Sequence, residues 1–281
     1  MSEPDPRRVA IVTGANTGIG KVTARVLAAA GHHVILACRS RERAQAAIDD
    51  IRAATGSEAL EFLELDLASL ASVRAAAEAF LARDLPLQLL INNAGLVPGK
   101  RAVTEDGFEM TFGVNHLGHF LFTTLLLDRL RASAPARVVT VASRAHRKCA
   151  GVDWDALTRP TSSTSGFPEY TVSKLANVWF SAELARRMEG TGVTTYAVHP
   201  GVVATDIWRR IPAPFRWIAK LFMIDEEEGA KTTLHCALAP EAAAETGLYY
   251  AEGALLAASE LGKDTAGAEE LWTRSEAWVA A

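Results

Sequence analysis

Short runs rich in Val, Ile and Leu alternate along this chain with Ala-rich amphipathic stretches, and that rhythm narrows the fold more than any other feature. The runs "RVAIVTG", "HHVILACR", "ALEFLELDL", "LQLLINNAG", "ARVVTVAS", "VTTYAVHPG" and "GLYYA" are mostly apolar along their length. Strands of that kind are buried on both faces, which calls for parallel neighbours with helices above and below. Between them lie "KVTARVLAAAG", "RERAQAAIDDIRAA" and "ASVRAAAEAFLAR", the last with Ser69 or Ser72 placed to cap it. A long helical stretch follows around "FGVNHLGHFLFTTLLLDRLRA", and a further helix carries Tyr170. The pattern predicts an α/β fold: a doubly wound, mostly parallel sheet of seven strands with helices on both faces. Ligands of such sheets sit at the carboxyl ends of the strands. With no linker in mid-chain and no internal repeat, the 281 residues, 49% hydrophobic, read as a single domain.

Two segments break the rhythm. Residues 147–169 are rich in Ser, Thr, Gly and Pro and read as a loop. Residues 206–228 place Trp208, Phe215, Trp217, Phe222 and Met223 among prolines and arginines, which reads as a helical insertion with an apolar face. Its position suits a substrate lid. Apolar walls there fit a hydrophobic carbonyl compound or alcohol as the partner molecule.

Charge and cysteine usage remove several classes. The net charge is -4 and no long basic block occurs, so nucleic acid is not expected as a partner. Cys38, Cys149 and Cys236 are far apart, which fits reduced thiols in the cytoplasm and neither a disulfide frame nor a metal site. The polar "MSEPDPRR" leads straight into the first strand, so no signal peptide and no membrane anchor is expected. His116 and His119 lack an accompanying carboxylate and read as helix packing, and His199 as structural.

"TGANTGIG" follows the first strand and opens a helix. Gly14, Gly18 and Gly20 let the backbone turn sharply and approach a pyrophosphate, whose charge a helix N-terminus favours. The second strand ends in Cys38 and Arg39, where a fold selecting NAD usually carries an acidic residue. A guanidinium can grip a 2′-phosphate in a bidentate fork, so NADP(H) is expected over NAD(H).

"TGANTGIG", "LDL" at Asp66, "NNAG" at Asn92, "GVNHLGHF" around Asn115, Ser143, "YTVSK" from Tyr170 and "HPG" at Pro200 occur in order over nearly the whole chain. Together they resemble the short-chain dehydrogenase/reductase family of single-domain, Rossmann-type proteins. The wording around Asn115 and after Lys174 is similar to its retinol dehydrogenase-like branch. The resemblance implies an oxidoreductase in which Tyr170 is the general acid/base and Lys174 binds the nicotinamide ribose and lowers the phenol's pKa. It further implies that Ser143 bonds the substrate oxygen and Asn115 holds a water relaying protons to Lys174. By the same resemblance the cofactor runs along Gly14, Asn16, Thr17, Gly18, Ile19 and Gly20, with Arg39, Asp66 and Leu67 at its adenine end. Asn93, Ala94 and Gly95, then Pro200, Gly201, Val203 and Thr205, complete that track beside Tyr170 and Lys174. Many members associate through the helices bearing Asn115 and Tyr170, so a homodimer is the expected assembly.

Chemistry asks for the same pair. A free phenol titrates near about pH 10. A cation within about 4–6 Å can lower that by roughly 1–3 units. Lys174 stands one helical turn after Tyr170, on the same face. Against the pattern of animal retinol dehydrogenases, no N-terminal hydrophobic anchor is expected here, and Ala142 stands where a second Ser is usual. A non-catalytic nucleotide sensor and a nucleotide-sugar epimerase are the competing readings. The first would be expected to lack Tyr or Lys, and the second to have a larger C-terminal region.

Overall fold

The computed structural model describes residues 8–98, 101–201 and 225–280. Its sheet holds β1 (Val9–Thr13), β2 (His33–Cys38), β3 (Leu60–Glu64), β4 (Leu89–Asn92), β5 (Ala136–Val141), β6 (Val193–His199) and β7 (Leu248–Ala251). These seven are parallel, and β8 (Ala254–Leu255) adds a short antiparallel edge, giving the order β3-β2-β1-β4-β5-β6-β7-β8. The helices are α1 (Gly18–Ala29), α2 (Arg41–Thr55), α3 (Leu70–Leu81), α4 (Met110–Phe112), α5 (Gly118–Leu125), α6 (Leu127–Ala132), α7 (Phe167–Arg187), α8 (Glu226–Leu238) and α9 (Thr265–Ala280). A π turn, Gly113–Leu117, joins α4 to α5.

The central strands explain why the runs are apolar. On β1, Val9 and Ile11 enter one core while Ala10 and Val12 enter the other. On β2, Ile35 and Ala37 divide from Val34, Leu36 and Cys38 in the same way. Two-sided burial admits a polar residue only where it finds a hydrogen-bond partner, as Thr13 does, and each fully buried Ile or Leu contributes about 1.5–3 kcal/mol over exposure. Strand order reverses at β1, which pairs with β2 on one side and β4 on the other. Crossovers leave that point in opposite directions, so a crevice opens at the carboxyl ends of β1 and β4.

The segment read as a loose loop is tied down by two carboxylates. Buried Glu109 accepts hydrogen bonds from the Phe112 backbone N at 2.7 Å and from the hydroxyls of Thr111 and Thr161. Glu169 accepts from the backbone N–H groups of Ser162 and Ser163 at 3.0 and 2.8 Å. Ser69, not Ser72, caps α3, while the Ser72 hydroxyl accepts from the Asp66 backbone N at 3.0 Å. The aromatic insertion expected at 206–228 lies almost wholly outside the described residues.

Helix α9 is not legible in the sequence rhythm. Its Trp272 stacks on Phe180 at 5.9 Å and meets Phe120 edge-on at 4.9 Å, with the Arg187 guanidinium over its ring at 4.4 Å. Trp278 meets Phe112 edge-on at 5.7 Å. Helix α9 thus packs on the helices through which a homodimer was expected. Trp272→Ala should cost about 3–5 kcal/mol of stability by emptying this aromatic junction. Urea unfolding measures it, and a loss under about 1 kcal/mol would show that the stack carries little of the fold.

Candidate active site

The crevice at the switch point is one continuous cleft of about 1080 Å³. At one end the chain leaves β1 through Gly14, in a left-handed conformation at φ 66°, and enters α1. A Cβ on Gly20 would stand 2.5 Å from both the Gly14 carbonyl oxygen and the Asn93 side-chain nitrogen. That approach admits no side chain, and Gly14 needs the conformational freedom that only glycine has at low cost. Thr17, at the N-cap of α1, makes no side-chain capping bond, and the first turn holds no acidic residue. The early N–H groups of α1 and the positive end of its dipole are therefore available to an anion. This cradle fits a pyrophosphate.

Asn16, Gly18 and Ile19 line the same end of the cleft. Across it, Arg39, Ser40 and Arg43 border the carboxyl end of β2, and Asp66 and Leu67 follow β3. Arg39 is paired loosely with Asp66 at 3.7 Å, and its side chain is 74% exposed. Asn93, Ala94 and Gly95 form the floor, with Pro200 and Gly201 facing them. Val203 and Thr205 lie outside the described residues.

The other end holds the catalytic candidates. Ser143 stands in extended backbone just after β5, where it caps a short 3-10 turn and accepts a bond from the Ala145 N–H at 3.2 Å. Tyr170 and Lys174 project from the first turns of α7, and both line the cleft. Lys174 is 3% exposed, donates to the Val141 carbonyl at 2.8 Å, and sits 5.5 Å from the centre of the Tyr170 ring. Burial drives its ammonium down to about 7, since a desolvated cation is costly.

Tyr170 departs from expectation in the direction of its shift. Burial raises its hydroxyl above the ordinary phenol value, and only a hydrogen bond with Ser143 pulls it back. The anticipated lowering by Lys174 is not what governs the phenol here, because the lysine is turned to a main-chain carbonyl and is itself short of charge. A raised value keeps the phenol protonated at neutral pH.

Asn115 also sits differently from the simplest expectation. It does not line the cleft but lies fully buried in the π turn behind Gly95. Its amide nitrogen donates to the Leu96 carbonyl and the Ser173 hydroxyl, each at 3.1 Å, and its amide oxygen accepts from the Leu96 N–H at 2.8 Å. With both side-chain donors committed, a relay water would have to meet the main-chain carbonyl.

Sequence reading passed over the apolar wall beside Ser143 and Tyr170, made of Val97, Met110, Val114 and Phe167. Two spacings in the sequence carry the signal: Met110 and Val114 are four apart, and Phe167 precedes Tyr170 by three. Lys148 stands on the rim, its ammonium 5.6 Å over the Phe167 ring. His199 lines the cleft too, its pKa lowered to about 4 chiefly by burial. His116 and His119 do not converge on one ligand: His116 faces Ser275 at 3.2 Å and His119 faces Thr13 at 2.9 Å.

The comparisons agree with this geometry. Residues 8–154 match the family model described as short chain dehydrogenase. Retinol dehydrogenase 12 of Homo sapiens is 45% identical over 279 residues, covering 96% of this chain and 85% of that protein. A crystal structure of an uncharacterized protein from Mycobacterium Paratuberculosis shares 34% identity and a TM-score of 0.79, covering 98% of this chain and 94% of that one. The 3-ketoacyl-(acyl-carrier-protein) reductase of Brucella melitensis, solved with NADH, shares the fold at 23% identity and a TM-score of 0.68, over 87% of this chain and 96% of its own. The chain belongs to the short chain dehydrogenase family, a family of oxidoreductases that bind a nicotinamide cofactor. Within that family it falls in the retinol dehydrogenase-like branch. Among the described residues no helix is long and apolar enough to cross a membrane.

The depressed Lys174 has a measurable signature. The unfolded chain holds this proton up to about pH 10.4, whereas the folded protein releases it near about 7. The unfolded state binds more protons between those values, so the penalty fades as pH rises. Lys174→Met removes the effect, and its stability relative to wild type should fall steadily from pH 7 to pH 10. Parallel urea midpoints for the two proteins across that range would contradict a buried, weakly basic lysine.

Proposed function

We propose that this protein interconverts a hydrophobic aldehyde or ketone and its alcohol, with NADP(H) favoured over NAD(H) and Tyr170 as the acid/base. The observation that carries the reading is that Ser143, Tyr170 and Lys174 meet at one end of a cleft whose other end is the glycine cradle. When bound, the nicotinamide supplies or accepts the hydride. The rest falls to this chain. The Ser143 hydroxyl donates to the carbonyl oxygen, where negative charge grows, so its bond strengthens toward the transition state. Tyr170, kept protonated by burial, gives its proton to that oxygen. Lys174, poised near neutrality, returns a proton to the phenol side of the cleft. The Asn115 carbonyl has a second lone pair with which to hold a relay water for it. Val97, Met110, Val114 and Phe167 shed water from the reacting centre and favour an apolar substrate body.

Arg39 supports the NADP(H) preference because it borders the cleft, is mostly exposed and is only loosely paired. Cys38 and Cys236 are buried thiols pushed up to about 11 and about 12, so they are unreactive and fit a reducing cytoplasm. The competing reading, a nucleotide sensor without chemistry, would leave this acid/base cluster without a task.

With NADPH, wild-type protein should consume a long-chain aldehyde faster than acetaldehyde, followed by absorbance of the reduced cofactor. Tyr170→Phe should bind NADPH normally yet lose about 10²–10⁴-fold in turnover, the span of a lost general acid. Near-normal turnover in that variant would sink the mechanism, and no turnover by wild type with any carbonyl compound would favour the sensor. Separately, Arg39→Ala should weaken NADPH by about tenfold while leaving NADH almost unchanged, the loss of one charge-assisted hydrogen bond. Equal losses for both cofactors would remove Arg39 from specificity.

A further inference from the structure

Helix α5 begins beneath the cleft floor, and its second residue, His119, is 1% exposed with both ring nitrogens engaged. Nδ1 lies 3.1 Å from the Asn115 carbonyl oxygen, and Nε2 lies 2.9 Å from the Thr13 hydroxyl. The Thr13 oxygen also accepts the backbone N–H groups of Asn93 and Ala94, each at 2.9 Å. These contacts admit one assignment of protons. A carbonyl only accepts, so Nδ1 must carry a hydrogen. The Thr13 oxygen already takes two N–H donors on its lone pairs, so its own hydrogen must point at Nε2, which is therefore bare. Its other acceptor, the Ile91 carbonyl, is farther away at 3.4 Å. A doubly protonated ring would set a third donor against the Thr13 oxygen. Burial discourages that state as well, holding His119 down to about 4, with Lys174 adding repulsion. His116 is the other titratable neighbour, and it too is buried and lowered, to about 3.

This bond chain continues at both ends. On the cofactor side, the Asn93 amide donates to the Thr13 carbonyl at 2.8 Å, and the same amide nitrogen lies against the Gly20 backbone of the cradle. On the catalytic side, Asn115 donates to Ser173, whose hydroxyl donates to the Tyr170 carbonyl at 2.9 Å. We propose that His119 is a positioning residue: a permanently neutral imidazole, protonated at Nδ1, that locks the cofactor floor at Thr13 to the Asn115 carbonyl behind Lys174. The inference rests on the functional reading above, in which that carbonyl serves the proton relay.

Each side of the ring can be removed alone. In His119→Asn the amide nitrogen reproduces the Nδ1 donor, but nothing reaches Thr13. NADPH binding, measured by fluorescence, should weaken about three- to tenfold while kcat stays within about twofold, the loss of one neutral hydrogen bond. In His119→Gln the amide oxygen replaces Nε2 as acceptor for Thr13, and the Asn115 carbonyl loses its donor. There kcat should fall about three- to tenfold with NADPH affinity nearly intact. A ring that merely fills space would instead lower thermal stability in both variants and move affinity and kcat together, or not at all. Either result overturns the proposal. Should the variants fail to fold, nitrogen NMR of histidine-labelled wild type decides, with Thr13→Ser used to assign the signal. One ring should stay neutral and protonated at Nδ1 from pH 8 to about 5.5, and a His119 that titrates there or carries its proton on Nε2 refutes it. The affinity and NMR readings need no turnover, so they stand even if no carbonyl compound proves to be a substrate.

Discussion

The parallel pairing of β1 with β4 is the constraint on which the rest of this molecule depends. Val12 opposite Ile91 sets the two strands so that both chains leave the sheet at the same level, one through Gly14 and the other through Asn93. The glycine turn needs the Asn93–Ala94 backbone beside it, and that backbone needs the Thr13 hydroxyl to satisfy its N–H groups. A register slip of one residue would turn Ile11 and Val12 toward the wrong cores and break every one of these contacts. The site is thus the unpaired end of the most buried strands. Most polar atoms there are satisfied by one another, whereas the buried Asn92 Oδ1 has no partner.

The catalytic end shows what that placement costs. Lys174 is an ammonium group put where a water-filled reference would never leave it, with one carbonyl as its partner. Tyr170 is raised by the same low-polarity surroundings that lower its neighbour, so burial drives the two groups apart in proton affinity and leaves the proton on the phenol more firmly than on the amine. Functional sites often tune titratable groups in this way. Compensation lies around the pair: the loop entering α7 is held by Glu169 and Glu109, and the helix is covered along its outer side by α9.

Those features that follow from periodicity or from fixed local spacing were legible in the sequence. The seven parallel strands, the Gly14–Gly20 turn, and the Tyr170–Lys174 pair on one helical face all repeat a local rule. What could not be read depends on partners distant in the chain. Nothing near Glu109 announces that it will fasten Thr161, and nothing near Trp272 names Phe120 and Phe180. His119 looked like packing because its meaning lies in Thr13. The phenol's shift escaped for another reason. Spacing told where the lysine would be, but not that burial would lower its proton affinity and that it would turn to Val141.

The Trp272 junction has a bearing on how the chain matures. Phe120 and Phe180 belong to helices made early, while the ring that covers them arrives only with α9. During synthesis the aromatic faces of these helices are therefore without this cover until α9 has been made. In that interval a nascent chain would offer chaperones, or another unfinished copy, a sticky aromatic surface.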